Sequence, residues 1–125
     1  MERRDGQILF SPSDLNGFLA CEHLTALELA GAAKPEPDDP QVELIRRKGE
    51  EHERAYLEAL RAQGKSITEI EIEERDWQAA AVATEAALRS GVDVVYQGVF
   101  VDARWRGVAD FLLRQDDGGY EAFDT

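Results

Sequence analysis

The spacing of apolar residues changes along the chain, and each change marks an element. Gln7, Ile8, Leu9 and Phe10 make a short strand-like run that leads into a helix. The helix start is well specified, with Ser11 as N-cap, Pro12 at the first helical position and Asp14 as the acidic third residue of a capping box. Phe10 and Leu15 would staple across that cap, and Leu15, Phe18, Leu19, Leu24, Leu27 and Leu29 keep a roughly helical spacing up to a stop at Gly31. The stretch AAKPEPDDP reads as the one linker, and its Asp38-Asp39-Pro40 opens a second helix.

From Pro40 to Gly64 the positions Val42, Ile45, Gly49, His52, Tyr56 and Ala59 step by three and four, which sets an inward face running through His52. Glu43, Arg46, Arg47, Glu50, Glu51, Arg54 and Glu58 form the solvated face. Lys65 to Glu71, with Ile67 and Ile70, alternates as a strand does. RDWQAAAVATEAALRSG then predicts an Ala-rich helix closed by Gly91, with Trp77 in its core-facing part. The remainder is β-rich and punctuated at Asp102-Ala103-Arg104 and at Asp116-Asp117-Gly118-Gly119, which predicts an antiparallel meander of three strands. The expected fold class is α+β: N-terminal helices packed on a small three-stranded meander.

Composition narrows the classes. A chain of 125 residues is one domain, and 43% hydrophobic with 32% charged residues is a globular mix. Fourteen Lys and Arg against 26 Asp and Glu leave a net charge of −12, which argues against a simple coat for nucleic acid or anionic membrane. The single Cys21 excludes an internal disulfide framework and points to a reduced, cytoplasmic chain. Asp14, Glu22 and Glu28 interrupt the first apolar stretch, so neither a signal peptide nor a membrane span is expected. The sequence stops at YEAFDT inside an alternation, without a cap or polar tail, and reads as cut there.

Two carboxylates carry the candidate chemistry. Asp110 in GVADFLL and Asp124 in YEAFDT both fall within strand patterns, where Asp is disfavoured and a half-buried carboxylate has to be paired, hydrogen-bonded or bound to metal. The ordinary alternative is an ion pair with Arg104, Arg106 or Arg114. A three-residue loop Asp116-Asp117-Gly118, with Gly118 left-handed, would set Asp110 directly opposite Asp124 with Cβ atoms about 5 Å apart. A two-residue loop would put them on opposite faces. Facing carboxylates repel unless a cation lies between them, and hard oxygen donors suit Mg²⁺ or Mn²⁺. His52 on the second helix is the candidate third ligand; the ordinary reading makes it a core or boundary histidine.

The combination of SPSDLNGFLACEHLTALEL, RRKGEEHERAYLEAL, VVYQGVFVDARWRGVADFL and the terminal YEAFDT resembles the N-terminal part of RecB-like nucleases of the PD-(D/E)XK superfamily, similar to the CRISPR-associated RecB-like nucleases. The resemblance covers essentially the whole chain. It implies a partial restriction-endonuclease-like core over 1–125, metal-dependent hydrolysis of a DNA phosphodiester, and roles for Asp110 and Asp124 as catalytic metal-holding carboxylates with His52 as a metal-holding histidine. It also implies a lysine two residues after Asp124, which would be residue 126, so the fragment itself is expected to be inactive. Related proteins hold an iron–sulfur cluster with one early cysteine and several late ones. Cys21 matches the early ligand and is otherwise a buried helix cysteine. The implied partners are DNA and a further C-terminal domain or helicase-type protein, with no membrane. Arg3, Arg4, Arg46, Arg47, Lys48, Arg104, Trp105 and Arg106 are candidate DNA contacts. A competing reading from another class is a non-catalytic acidic helix–sheet module that binds a protein partner, with Asp110 and Asp124 as ordinary ion-pair residues.

Overall fold

The computed structural model describes residues 1–34 and 39–125. The proline-rich junction expected around 35–38 lies outside them. The fold is α+β, with four α-helices and two sheets. The chain divides into two compact units: residues 1–38 with 101–107, and residues 39–100 with 108–125.

In the first unit, β1 (Glu2–Arg4) and β2 (Gln7–Leu9) pair antiparallel across a turn in which Asp5 and Gly6 both have positive φ, 50° and 77°. That Asp-Gly turn is the hairpin type whose twist matches the strands. Helix α1 (Pro12–Ala20) starts as expected. Ser11 and Asp14 form the capping box, and Asp14 also receives the N-terminal ammonium at 2.6 Å. Burial alone would push Asp14 up, but its bonds to the ammonium and to Ser11 hold it below the usual carboxylate range.

The single helix expected over 11–31 is two. Cys21 adopts an extended backbone, φ −160° and ψ 100°, and separates α1 from α2 (Glu22–Leu29). An extended residue cannot continue the i to i−4 ladder, so the helix ends there whatever the apolar spacing on either side. Cys21 is exposed at this junction and is not the buried helix cysteine considered above. Phe10 bridges to Trp105 at the tip segment, its N–H donating to the Arg104 carbonyl at 2.7 Å.

The second unit carries α3 (Pro40–Ala62), β3 (Ile67–Glu69), α4 (Trp77–Ser90), β4 (Val94–Asp102), β5 (Trp105–Arg114) and β6 (Tyr120–Phe123), the β4–β5 tip excepted. Asp39 caps α3 by accepting the Gln41 amide, and Asp76 caps α4 by accepting the Ala79 amide. The strand order is β3-β4-β5-β6. The three-stranded antiparallel meander is therefore corrected to a four-stranded mixed sheet, because β3 joins β4 in parallel through the α4 crossover. Asp93 secures this joint by accepting the Ser66 amide and hydroxyl at 2.9 and 3.0 Å.

Both faces of the sheet are covered. Leu57 and Leu60 of α3 pack with Val94 and Phe111, and Tyr56, Ile67, Tyr96 and Leu113 complete the cluster. On the other face α4 buries Ala80, Thr84 and Ala87. Gly98 allows this approach: a Cβ there would stand 2.6 Å from Leu112 Cδ1 and 3.4 Å from Thr84 Cγ2. Among the described residues no helix is long and apolar enough to cross a membrane.

Candidate functional site

The register of β5 on β6 is the one the three-residue loop predicts. Phe111 pairs with Phe123 and Arg114 with Tyr120, while Gly118 takes φ 85° and its N–H donates to the Gln115 carbonyl at 3.0 Å. One further step along this ladder brings Asp110 opposite Asp124. Two facing carboxylates repel, and Asp124 is among the groups that raise the Asp110 pKa.

Asp110 is half-buried. Burial, the Glu53 carboxylate and the Asp124 carboxylate together raise its pKa, against a smaller opposing effect of a hydrogen bond from Gln97. The third acidic group at this site is therefore Glu53. Its Oε1 accepts the Tyr96 hydroxyl and the Gln97 side-chain amide, each at 2.6 Å. Burial first, and then the bond to Glu53, push the Tyr96 hydroxyl up to about 12.

His52 is corrected on this point. It is exposed, and it is not among the groups acting on Asp110. The buried positions of α3 are Leu57 and Leu60, with Glu53 and Tyr56 half-buried. These four stand at i, i+3, i+4 and i+7, so the inward face is turned by one residue, about 100°, from the stripe drawn through Val42, Ile45, Gly49 and His52. Val42 and Ile45 at the start of that stripe are themselves exposed, Ile45 by 71%. The signal for Glu53 lay in its spacing to Tyr56, Leu57 and Leu60. No pattern in the sequence marks Gln97, because its position depends on the backbone of β4.

Gln97 has φ 58° in mid-strand. A left-handed residue breaks the two-residue alternation of a strand, and this explains why consecutive Tyr96 and Gln97 both reach the same Glu53 oxygen. The arrangement joins three carboxylates, one phenol and one carboxamide. Their oxygens are hard donors of the kind that take Mg²⁺ or Mn²⁺. As placed, however, they do not converge: among the described residues no group of three His, Cys, Asp or Glu is gathered to hold a metal ion.

Most of the candidate DNA contacts are already engaged. Arg46 pairs with Glu43 at 2.5 Å and with Glu50. Arg106 pairs with Glu2, and Arg3 donates to the Leu29 carbonyl. Trp105 stacks on Phe10 with ring centroids 5.2 Å apart, and Arg104 lies over the same Phe10 ring at 5.7 Å. A separate cavity of about 570 Å³ is lined by Glu69, Glu71, Glu73, Glu74 and Asp76 and includes none of the residues of the Asp110 cluster.

No family model, curated protein or solved structure matches the chain.

Proposed function

We propose that the chain carries the carboxylates of a metal-dependent phosphodiesterase site of the RecB-like nuclease type, with Asp110, Asp124 and Glu53 as the groups that hold Mg²⁺ or Mn²⁺. The observation that supports this best is the position of Asp110 between two other carboxylates, with burial and both neighbours raising its pKa. Like charges brought together in this way store repulsion that a divalent cation relieves. The donor chemistry fits the ion; closing the three groups round it requires side-chain movement from the arrangement described above.

A divalent ion bound there supplies Lewis acidity and charge neutralisation for hydrolysis of a phosphodiester. The residues of the chain have narrower tasks. Asp110 and Asp124 present opposed oxygens across β5 and β6, and Glu53 brings a third from α3. The test reads metal binding. Calorimetric titration of Mn²⁺ into the chain should show binding that Asp110→Ala weakens at least tenfold. Absence of binding, or equal binding by the variant, sinks the proposal.

The second reading, a non-catalytic module that docks on a protein partner, is favoured by a different observation. Leu15, Phe18, Leu19, Leu24, Leu27 and Leu29 of the first unit are each more than 40% exposed. Exposed apolar residues in such number mark an interaction surface in many soluble domains. The two readings differ in their dependence on Asp110: partner docking through α1 and α2 would survive Asp110→Ala.

A further inference from the structure

We propose that Gln97 is a positioning residue of the carboxylate site: a kink in β4 presents its side-chain amide to Glu53, and this amide, rather than a cation, fixes where the Glu53 carboxylate lies. The inference rests on the metal-site reading of Glu53, Asp110 and Asp124 and adds to it a part that neither the sequence pattern nor the resemblance contains.

The backbone carries the first part of the argument. A non-glycine residue at φ 58° in mid-strand is strained, and strain persists only where the surroundings over-determine it. Here they do. On one side the Tyr96 carbonyl accepts the Ile70 amide at 3.0 Å, which ties β4 to the end of β3. On the other, Gly98 is pressed against Leu112 and Thr84, and the Val99 amide donates to Thr84 Oγ1 at 2.9 Å. Thr84 in turn donates to the Ala80 carbonyl, so α4 holds the strand immediately after the kink. Pinned at 96 and at 98–99, the chain places the left-handed residue at 97.

The chemistry of the side chain carries the second part. Both groups bonded to Glu53 Oε1, the Tyr96 hydroxyl and the Gln97 amide, are neutral donors. Among the described residues no Lys or Arg forms an ion pair with Glu53. A cationic partner would orient the carboxylate but also cancel its charge and compete with a metal ion. A carboxamide orients it and leaves the charge in place. Gln97 also acts on Asp110, where it opposes the rise in pKa that burial, Glu53 and Asp124 produce. Hydrogen-bonding partners behind metal-holding carboxylates typically change metal affinity 10- to 100-fold when removed.

Gln97→Asn separates the side chain from the backbone. Asn accepts positive φ more readily than Gln, so the kink is kept, while its amide falls short by one methylene, about 1.5 Å. Mn²⁺ alone is titrated by calorimetry into the wild-type chain and into Gln97→Asn, and thermal unfolding of both is followed in EDTA. The expected result is a loss of Mn²⁺ affinity of about 10- to 100-fold with a midpoint within about 5 °C of wild type. Equal affinity overturns the proposal. Should Gln97→Asn fail to fold, Gln97→Gly, which carries no penalty at positive φ, takes its place with the same expectation. Absence of Mn²⁺ binding by the wild type would remove the metal-site reading alone. The positioning role is then decided by a double-mutant cycle of Gln97→Asn and Glu53→Gln on the unfolding midpoint in EDTA. Non-additive shifts sustain it, and additive shifts overturn it.

Discussion

At the scale of single residues, the feature with the clearest consequence is the protonation of Asp110. Its pKa lies above the ordinary value because burial, Glu53 and Asp124 all disfavour the charged form. A carboxyl whose pKa is raised in the fold binds its proton more tightly there than in the unfolded chain. Its contribution to stability is therefore greatest below the unfolded pKa and is lost as pH rises through the folded pKa. Above its folded pKa the charged group is a cost to the fold. Asp110→Asn should raise the unfolding midpoint at pH 7 in EDTA by a few degrees and remove the part of its pH dependence that lies between the unfolded pKa of Asp110 and its raised folded pKa, as thermal melts followed by circular dichroism would show. A lower midpoint at pH 7 would mean that Asp110 is stabilised by a partner not accounted for above. Asp14 has the opposite sign: held low by the N-terminal ammonium and Ser11, it contributes stability above its unfolded pKa that is lost as pH falls through the folded one.

At the scale of elements, the contact between α4 and β4 depends on a missing side chain. A Cβ at Gly98 would meet Leu112 Cδ1 at 2.6 Å, closer than packed carbon atoms allow. Gly98→Ala should therefore cost about 1–3 kcal/mol in denaturant unfolding, the usual range for overpacking a tight core. Adding Leu112→Val, which withdraws the offending methyl, should recover part of that loss; strict additivity would show that the two side chains do not meet. The same scale shows how local signals succeed or fail. Asp39 with Pro40 opens α3 and Gly91 closes α4 as their capping chemistry predicts, and Asp76 adds an N-cap to α4. Asp5-Gly6 is an equally local signal, and it closes a hairpin that the apolar pattern had not suggested, because β1 is the wholly polar-looking Glu2–Arg4. Cys21 is the opposite case: nothing in its side chain demands an extended backbone, so the break between α1 and α2 has no local mark.

At the scale of the whole molecule, Phe111 is the residue on which the second unit closes. It is fully buried, meets Tyr56 edge-on with centroids 4.9 Å apart, and meets Tyr96 at 5.2 Å. Aromatic pairs of this kind add to the burial of their area. Phe111→Ala should cost about 3–5 kcal/mol, measured by urea unfolding, which is a large part of what a domain of this size possesses. Because Tyr56 and Tyr96 flank Glu53 in sequence or by hydrogen bond, loss of Phe111 should also weaken any metal binding.

What the sequence by itself determined is whatever local chemistry decides. The N-terminal caps of α1 and α3, the close of α4 at Gly91 and the turn at Gly118 follow from residues within a few positions of one another, whereas the sequence left two loop lengths open and the β5–β6 register decided between them. Tertiary structure alone decided three things. It added β3 in parallel to the sheet, a choice between strand partners far apart in the chain. It turned the inward face of α3 to Glu53 in place of His52, because a helix is oriented by the residues its neighbours can bury, here Leu57 and Leu60, and not by its first apolar positions. It also kinked β4 at Gln97, where packing on α4 and pairing with β3 outweigh the preference of a glutamine for an ordinary strand conformation.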